Sequence, residues 1–418
     1  MNSSRKRSIA LSGIVALSLL AAACGSDDDT KSTSAPTTVA APTTAASTAT
    51  TAASTDTTEG SPETTEASTE TTEGSSATTE GSTDTTEAAP TDTVDYSTLK
   101  GSLIASGATF PKGFYDEAIA NFADLAPDLT IEYGGGGSGK GRSDLQEKVV
   151  DFAGTDGTVK PEDISKFTGG EFVYVPTVLA PITMSYNLPG VDSLQLSPAT
   201  ISGIFQLKIT KWNDPLIAAD NPDATLPDTD IVVARRADGS GTTDNFSKFL
   251  NAAVGTDAGG DWALGSGSEL EWPDGTQAGD GNSGVAQIIS STEGAIGYVD
   301  LSDAKANSLT FAAVKNKAGN FVEPTLEATS EAASNVEIKD DLTFFTGWAD
   351  GDGSYPIAAQ TWIIAYTKQD DPTKAEAIRG FLTYLLTEGQ EFAPDIDYAP
   401  LPDELRTKAL ANVAKIGA

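Results

Sequence analysis

The chain has 418 residues, with no histidine, a single cysteine and a formal charge of −34 at neutral pH. One cysteine excludes an internal disulfide, and without histidine neither a Ser-His-Asp or Cys-His mechanism nor the usual zinc site can form. The strong acidity argues against nucleic acid as a partner. The acidic segment 350–354 lacks the spacing of an EF-hand calcium loop, so we predict a tight turn there, and neither a metal nor a cofactor.

The first 23 residues have the three parts of a secretory signal peptide. Arg5 to Arg7 precede an apolar stretch from Ile9 to Leu20, and small residues follow. Cys24 stands where a lipoprotein signal peptidase would leave it N-terminal. The arrangement resembles a bacterial lipobox, except that Ala21 occupies the position where leucine is usual. We predict export and lipid attachment at Cys24, with an unlipidated leader as the alternative.

Residues 24–95 are predicted to form a disordered tether. Ser, Thr, Ala, Glu, Pro and Gly dominate the segment, and Thr-Thr-Glu-Gly recurs at 57–60 and 71–74. Such a composition buries too little apolar surface to offset the entropy of ordering. A flexible coil of this length spans on the order of 45–50 Å, enough to hold a domain away from a membrane.

From Tyr96 onward the composition is that of a globular α/β protein. Strand-like apolar runs at 149–153, 231–234 and 362–366 alternate with helical periodicities. Apolar residues at 378, 381, 382, 385 and 386 predict the clearest helix, with Gly389 as its stop signal. About 320 residues exceed one typical core, so we expect two lobes.

The first candidate binding segment follows the short apolar run 103–105. Gly107-Ala-Thr109-Phe110-Pro111 leads into a helix with Ala118, Ile119 and Phe122 on one face, and Pro111 suits its first turn. The hydroxyl of Thr109 and the N–H of Phe110 would then lie at a helix N-terminus, where anions bind.

A glycine run from Gly134 to Gly141 forms the second candidate segment. It contains Ser138 and Lys140 and precedes a predicted helix over 142–149. The run matches most of a P-loop, but Gly141 stands where a Ser or Thr would hold Mg²⁺. We therefore predict a phosphate-cradling loop without nucleotide hydrolysis. Lys140 could contact the ligand or face solvent.

Asp156 and the segment 236–242 are the third and fourth candidate binding segments. Asp156 lies just beyond the predicted strand around Phe152, and ligands of open α/β sheets bind outside such strand ends. The sequence Arg-Ala-Asp-Gly-Ser-Gly-Thr at 236–242 lies between a predicted strand and a predicted helix. Its N–H groups, hydroxyls and guanidinium can converge on an oxyanion, although a simple turn and helix cap is the alternative. Together the four segments predict a metal-free oxyanion site.

From about Gly101 to Leu401 the chain resembles the PstS family, the phosphate-binding proteins of bacterial phosphate ABC importers. The resemblance rests on motifs whose order and spacing cover nearly the whole globular part: Gly-Ala-Thr109-Phe110-Pro, 150–156, Lys211-Trp-Asn-Asp, 235–242, 294–298 and Asp397-Tyr-Ala-Pro-Leu-Pro.

The resemblance implies an α/β fold of the periplasmic-binding-protein type (type II-like). Two mixed-sheet α/β lobes would be joined by two hinge crossings. The first lobe would comprise 96–178 and 357–418, and the second 179–356. The implied phosphate contacts are Thr109, Phe110, Ser138, Asp156, Arg236, Ser240, Gly241 and Thr242, with Asp238 orienting Arg236. The glycine loop departs from the family's Gly-Ser-Ser-Gly-Gly, because Gly139 replaces the second Ser and Lys140 the next Gly.

The implied function is capture of inorganic phosphate and its delivery to the membrane permease and ATPase subunits of an ABC importer, by a lipid-anchored monomer outside the cytoplasmic membrane. Ionised Asp156 can only accept hydrogen bonds, so it would admit phosphate, which carries a proton, and reject sulfate. The alternatives are a lipid-tethered phosphate-sensing or adhesive surface protein and a secreted phosphoesterase.

Overall fold

The computed structural model describes residues 94–254 and 261–418. The predicted signal peptide, the lipidated Cys24 and nearly all of the predicted tether lie outside the described residues. Among the described residues, no helix combines the length and apolar character needed to cross a lipid bilayer.

Helices and strands alternate along the described chain, which confirms the predicted α/β class. The strands are β1 (Lys100–Gly107), β2 (Asp128–Gly136), β3 (Phe152–Thr155), β4 (Phe172–Tyr186), β5 (Gln195–Leu196), β6 (Val232–Arg236), β7 (Gln277–Gly279), β8 (Ala295–Asp300), β9 (Thr310–Lys315), β10 (Phe321–Val322) and β11 (Ala358–Tyr366).

The α-helices connect these strands and cover the sheet. They are α1 (Lys112–Leu125), α2 (Gly137–Gln146), α3 (Pro198–Phe205), α4 (Pro215–Asp220), α5 (Gly241–Val254), α6 (Gly281–Ser291), α7 (Leu301–Ala306), α8 (Leu326–Ser334), α9 (Pro372–Leu386), α10 (Glu388–Phe392) and α11 (Asp403–Val413). Short 3-10 helices occupy Tyr96–Thr98, Pro161–Lys166 and Ala393–Ile396.

The main sheet has the strand order β2-β1-β3-β11-β4-β8-β6-β7. Two groups of parallel strands, β2-β1-β3 and β8-β6-β7, lie on either side of the antiparallel strands β11 and β4. Strand β4 pairs with β11 from Phe172 to Pro181 and with β8 from Ile182 to Tyr186. All nine residues of β11 are buried, as are fourteen of the fifteen in β4, so these two strands form the centre of the core.

Helix α9 confirms the helix that the apolar periodicity at 378–386 predicted. Its N-cap Asp371 accepts the N–H of Thr373, and Pro372 occupies the first turn. The predicted apolar face is fully packed, with all five of its residues at most 1% exposed: Ile378, Phe381, Leu382, Leu385 and Leu386. The predicted stop at Gly389 is wrong, because α9 ends at Leu386 and Gly389 lies inside α10.

Two further boundaries differ from the predictions. The predicted strand at 149–153 lies instead at Phe152–Thr155, because Lys148 adopts a φ of 58° and the chain turns before the strand begins. The predicted helix at 142–149 begins five residues earlier and ends at Gln146, so the end of the glycine run forms its first turns. A Cβ at Gly141 would lie 2.6 Å from Gly107 Cα, so glycine here allows α2 to pack directly against β1.

Candidate anion-binding site

The predicted site residues follow the carboxyl ends of strands in both parallel groups. Thr109 follows β1, Ser138 follows β2 and Asp156 follows β3, whereas Arg236 ends β6 and begins the turn into α5. Helix N-termini lie close to three of these positions, at α1, α2 and α5. Unpaired N–H groups and the helix dipole therefore favour negative charge at this edge of the sheet.

Hydrogen bonds join the turns of the two strand groups. The N–H of Gly139 in α2 donates to the carbonyl of Gly239 over 2.8 Å. The Asn245 side chain of α5 donates to the carbonyl of Asp156 over 2.8 Å. On the other side, the N–H of Asn282 donates to the Thr109 hydroxyl over 3.2 Å. The structure thus brings the four predicted segments together.

Arg236 is 3% exposed and is held by Asp238. Nε lies 2.8 Å from Asp238 Oδ1, and Nη2 donates to Oδ2, so the two side chains form a two-point ion pair. Burial acts to raise the pKa of Asp238, but the hydrogen bond and charge of Arg236 outweigh it and lower this pKa below its usual value. The remaining guanidinium nitrogen, Nη1, lies 3.3 Å from the hydroxyl of Thr242.

Asp156 is 1% exposed and receives hydrogen bonds on both carboxylate oxygens. Thr361 donates to Oδ1 over 2.7 Å, and Ser138 Oγ lies 3.3 Å from Oδ2. Burial raises the pKa of Asp156 to about 7, although the hydrogen bond from Thr361 and the charge of Arg236 oppose the shift. The carboxylate is therefore poised to change its protonation state near neutral pH.

Buried donors without a protein acceptor lie in the same turns. Within the described residues, the main-chain N–H groups of Phe110, Gly241 and Thr242 have no hydrogen-bond acceptor, although all three residues are buried. Buried N–H groups are nearly always paired in folded proteins. Three unpaired ones beside a buried guanidinium indicate a site for an oxyanion.

Three hydroxyls complete the donor set. Thr109 Oγ1 accepts the N–H of Asn282, Ser240 Oγ accepts that of Thr243, and Thr242 Oγ1 accepts from Arg236. None of the three hydroxyls donates to another residue in the described part of the chain. Because each hydroxyl carries one proton and already accepts a bond, its proton is available to a ligand. Ser240 also caps α5, so the capping role and the anion role coexist.

Lys140 does not join the cluster. Its ammonium pairs with Asp144 in α2, and its side chain is 53% exposed. The sequence left open whether Lys140 contacts the ligand or faces solvent, and in the structure its charge faces solvent. In the described ranges there is also no group of three or more Asp, Glu, His or Cys side chains that could hold a metal ion.

Sequence reasoning missed Asn282, Thr361 and Arg142. Asn282 lies in Gly281-Asn-Ser-Gly284, directly after β7, so the same strand, glycine and helix pattern could have identified it. Arg142 Nη1 donates to the Thr155 hydroxyl over 2.9 Å, next to Asp156. Thr361 lies within β11, where a buried threonine carries no local signal.

A separate cavity of about 940 Å³ is lined by Phe167, Phe172 and Tyr174 among others, and none of the predicted site residues lines it. Its walls are mainly apolar, whereas the cluster around Arg236 supplies the donors that an oxyanion requires. We therefore place the candidate site at the cluster.

Comparison with known proteins identifies the family. A family model described as a PBP superfamily domain matches residues 93–388. The phosphate-binding protein PstS of Pasteurella multocida is 33% identical over 330 residues, which cover 77% of this chain and 92% of that protein. PstS of Methanocaldococcus jannaschii is 36% identical over 340 residues, covering 75% and 83% respectively.

Solved structures show the same fold. The high-affinity periplasmic phosphate-binding protein PfluDING, solved with phosphate, has a TM-score of 0.61 at 22% identity and covers 74% of this chain and 93% of its own. The phosphate-binding protein of Stenotrophomonas maltophilia has a TM-score of 0.59 at 20% identity, covering 74% and 93% respectively. These likenesses confirm the predicted periplasmic-binding-protein fold, and the chain belongs to the PstS family of phosphate-binding proteins.

Proposed function

We propose that this chain captures inorganic phosphate in the cluster around Arg236 and delivers it to the permease and ATPase subunits of an ABC importer. The observation that carries the proposal is the combination of a buried guanidinium, three unpaired buried N–H groups and one buried carboxylate. The first two hold a tetrahedral oxyanion, and the carboxylate requires that the oxyanion carry a proton.

The donors would hold the anion by short-range hydrogen bonds. Arg236 supplies the charge, with Asp238 fixing the plane of the guanidinium, and charge-assisted bonds are the stronger class. The other contacts come from N–H groups and hydroxyls of the surrounding turns: Thr109, Phe110, Ser138, Ser240, Gly241 and Thr242. Contact at short range suits an acidic chain, because its long-range field repels anions but is screened within about 8 Å at physiological salt.

Asp156 would provide selectivity. When ionised it can only accept hydrogen bonds, so a fully deprotonated anion such as sulfate would leave two negative charges facing each other without a proton between them. Phosphate near neutral pH keeps at least one proton and can donate it to the carboxylate. The donors therefore hold any tetrahedral oxyanion, and Asp156 selects phosphate.

We further propose that two lobes, 96–178 with 357–418 and 179–356, close on the ligand by a hinge motion. The change of partner along β4, from β11 to β8 near Pro181, supports a crossing close to the predicted boundary. An importer would then distinguish the closed, loaded form from the open one. Lipid attachment at Cys24 would keep the monomer at the outer face of the cytoplasmic membrane.

The chain is proposed to bind phosphate without catalysis. Its sequence has no histidine, and the site offers hydroxyls, amides and one guanidinium in place of an activated nucleophile. A chromogenic phosphate ester tests the phosphoesterase alternative, because release of the chromophore would contradict the proposal. Co-purification of the full chain with a permease would separate import from sensing or adhesion.

The direct test is the small-molecule content of the purified full chain. Phosphorus analysis is expected to find about one phosphate per chain. After this phosphate has been removed, calorimetric titration is expected to show that the chain binds one phosphate again. A chain that carries no phosphate and gives no heat with phosphate would overturn the proposal.

A further inference from the structure

Asn282 lies between Arg236 and the buried carboxyl group of Asp300. Its Oδ1 accepts from Arg236 Nη1 over 3.2 Å, and its Nδ2 donates to Asp300 Oδ1 over 2.9 Å. Asn282 and Asp300 are at most 1% exposed. A continuous chain of hydrogen bonds therefore runs from the end of β8, through the first turn of α6, to the guanidinium.

Two hydrogen bonds fix the orientation of the Asn282 amide. Arg236 Nη1 can only donate a hydrogen bond, so it faces the amide oxygen, and the NH₂ group then points to Asp300 Oδ1, which accepts from it. The opposite orientation would set the NH₂ group against the guanidinium, with two donors facing each other. Without Asp300 the amide would lose this restraint, and Arg236 Nη1 would lose a fixed acceptor.

The same asparagine reaches the opposite wall of the site. Its main-chain N–H donates to Thr109 Oγ1 over 3.2 Å, which leaves the Thr109 proton free for a ligand. Asn282 thus touches one donor in each group of parallel strands, Thr109 after β1 and Arg236 at the end of β6.

A helix cap alone does not account for Asp300. Its Oδ2 accepts the N–H of Asp303 over 3.1 Å and so caps α7, but a cap needs only one oxygen. The second oxygen extends to Asn282, in a different helix. Asp214 offers a comparison, because it caps the equally short α4 by accepting the N–H of Leu216 over 2.9 Å.

We propose that Asp300 is a positioning residue that acts through Asn282 to hold Arg236 and Thr109 in the geometry that binds a tetrahedral oxyanion. The inference rests on the proposed phosphate site and deepens it. Asp300 acts on how tightly the oxyanion is held, whereas Asp156 acts on which oxyanion is admitted, so the two residues have separable effects.

The test uses Asp300→Ser in the full chain, because serine can still cap α7 but is too short to reach Asn282. Calorimetric titration is expected to show phosphate binding about tenfold weaker, the loss of roughly one hydrogen bond to the charged network. Asn282→Ala removes the other partner of the Asn282–Asp300 hydrogen bond and is expected to weaken phosphate binding by at least as much. The double variant should be no more than about twofold weaker than Asn282→Ala, because both changes break one connection.

Asp214→Ser is the matched control. It exchanges the same residue at the cap of a helix of the same length, and it is expected to leave the phosphate Kd unchanged. Melting of the ligand-free protein is measured for every variant, because a merely structural role would shift the melting midpoint without changing the Kd of the folded fraction.

The outcomes separate the two proposals. If the unmodified chain binds phosphate and Asp300→Ser binds it equally well, the positioning role is wrong and the proposed function stands. Additive losses in the double variant would likewise overturn a role exerted through Asn282. If the unmodified chain does not bind phosphate, the proposed function itself fails.

Discussion

Ser138 and Asp156 are joined by two hydrogen bonds, since the Ser138 hydroxyl accepts the main-chain N–H of Asp156 over 3.0 Å and lies 3.3 Å from its Oδ2. The pair ties the first turn of α2 to the end of β3. Gly241, the first residue of α5, lies against both side chains, so the carboxylate and the helix N-terminus share one small space.

Gly241→Ala is expected to disrupt this arrangement. The added Cβ would lie 2.5 Å from Asp156 Oδ2, so the carboxylate must move away from its hydrogen-bond partners. Overpacking of this kind costs about 1–3 kcal/mol, and we expect phosphate binding to weaken about tenfold or more in calorimetric titration. Gly417→Ala is the control, because a Cβ there meets nothing within 4 Å. Equal affinity of the Gly241→Ala variant and the unmodified chain would contradict the proposed position of the ligand.

Arg236→Ala is expected to weaken phosphate binding more than the loss of any hydroxyl. Removing the charged donor also leaves the partly buried Asp238 without its ion-pair partner, and losses of this kind reach about a hundredfold. Thr242→Val, which removes one hydroxyl, should cost about tenfold. Lys140→Ala serves as the charge control and should bind as the unmodified chain does, because Lys140 pairs with Asp144 at the surface. A larger loss for Thr242→Val than for Arg236→Ala would show that the guanidinium is not the main anchor.

The protonation of Asp156 predicts how stability depends on pH. Its pKa in the folded protein is about 7, above the ordinary value of 3.8. Between these two values the folded protein holds a proton that the unfolded chain has released, so rising pH favours unfolding. The stability that this proton contributes is fully present below about pH 4 and is lost as the pH rises through about 7.

Denaturant unfolding of the ligand-free protein and of Asp156→Asn tests whether this contribution to stability falls as the pH rises. The free energy of unfolding of the unmodified chain, minus that of the variant, should fall between pH 4 and 7 by at most about 1.4 kcal/mol per pH unit. The raised pKa values of Asp300 and Asp303 contribute to both proteins and largely cancel in the difference. A difference that stays constant or grows with pH would show that Asp156 is ionised throughout this range.

Local patterns predicted part of the candidate site. The alternation of apolar runs and glycine turns located the ends of β1 and β6, and with them Thr109 and Arg236. The pairing of Arg236 with Asp238, which the resemblance to the PstS family implied, is present in the structure. These features depend on neighbours in sequence.

The remaining features depend on contacts between distant segments. Thr361 reaches Asp156 across 205 residues of sequence, and no pattern within β11 distinguishes it from other core residues. The start of α2 was misplaced because glycine disfavours helix formation in isolation. Tertiary packing decides otherwise, since Gly136 and Gly137 take positive φ values of 114° and 86°, and Gly141 allows close contact with β1.

Calorimetric titration of the unmodified chain and of Asp156→Asn with phosphate and with sulfate, at pH 8, tests the central claim most directly. At this pH Asp156 is mainly ionised, so the unmodified chain is expected to bind phosphate and to give no heat with excess sulfate. Asp156→Asn, whose amide can donate a hydrogen bond, is expected to bind sulfate measurably. Sulfate binding by the unmodified chain, or equally poor sulfate binding by both proteins, would contradict the account.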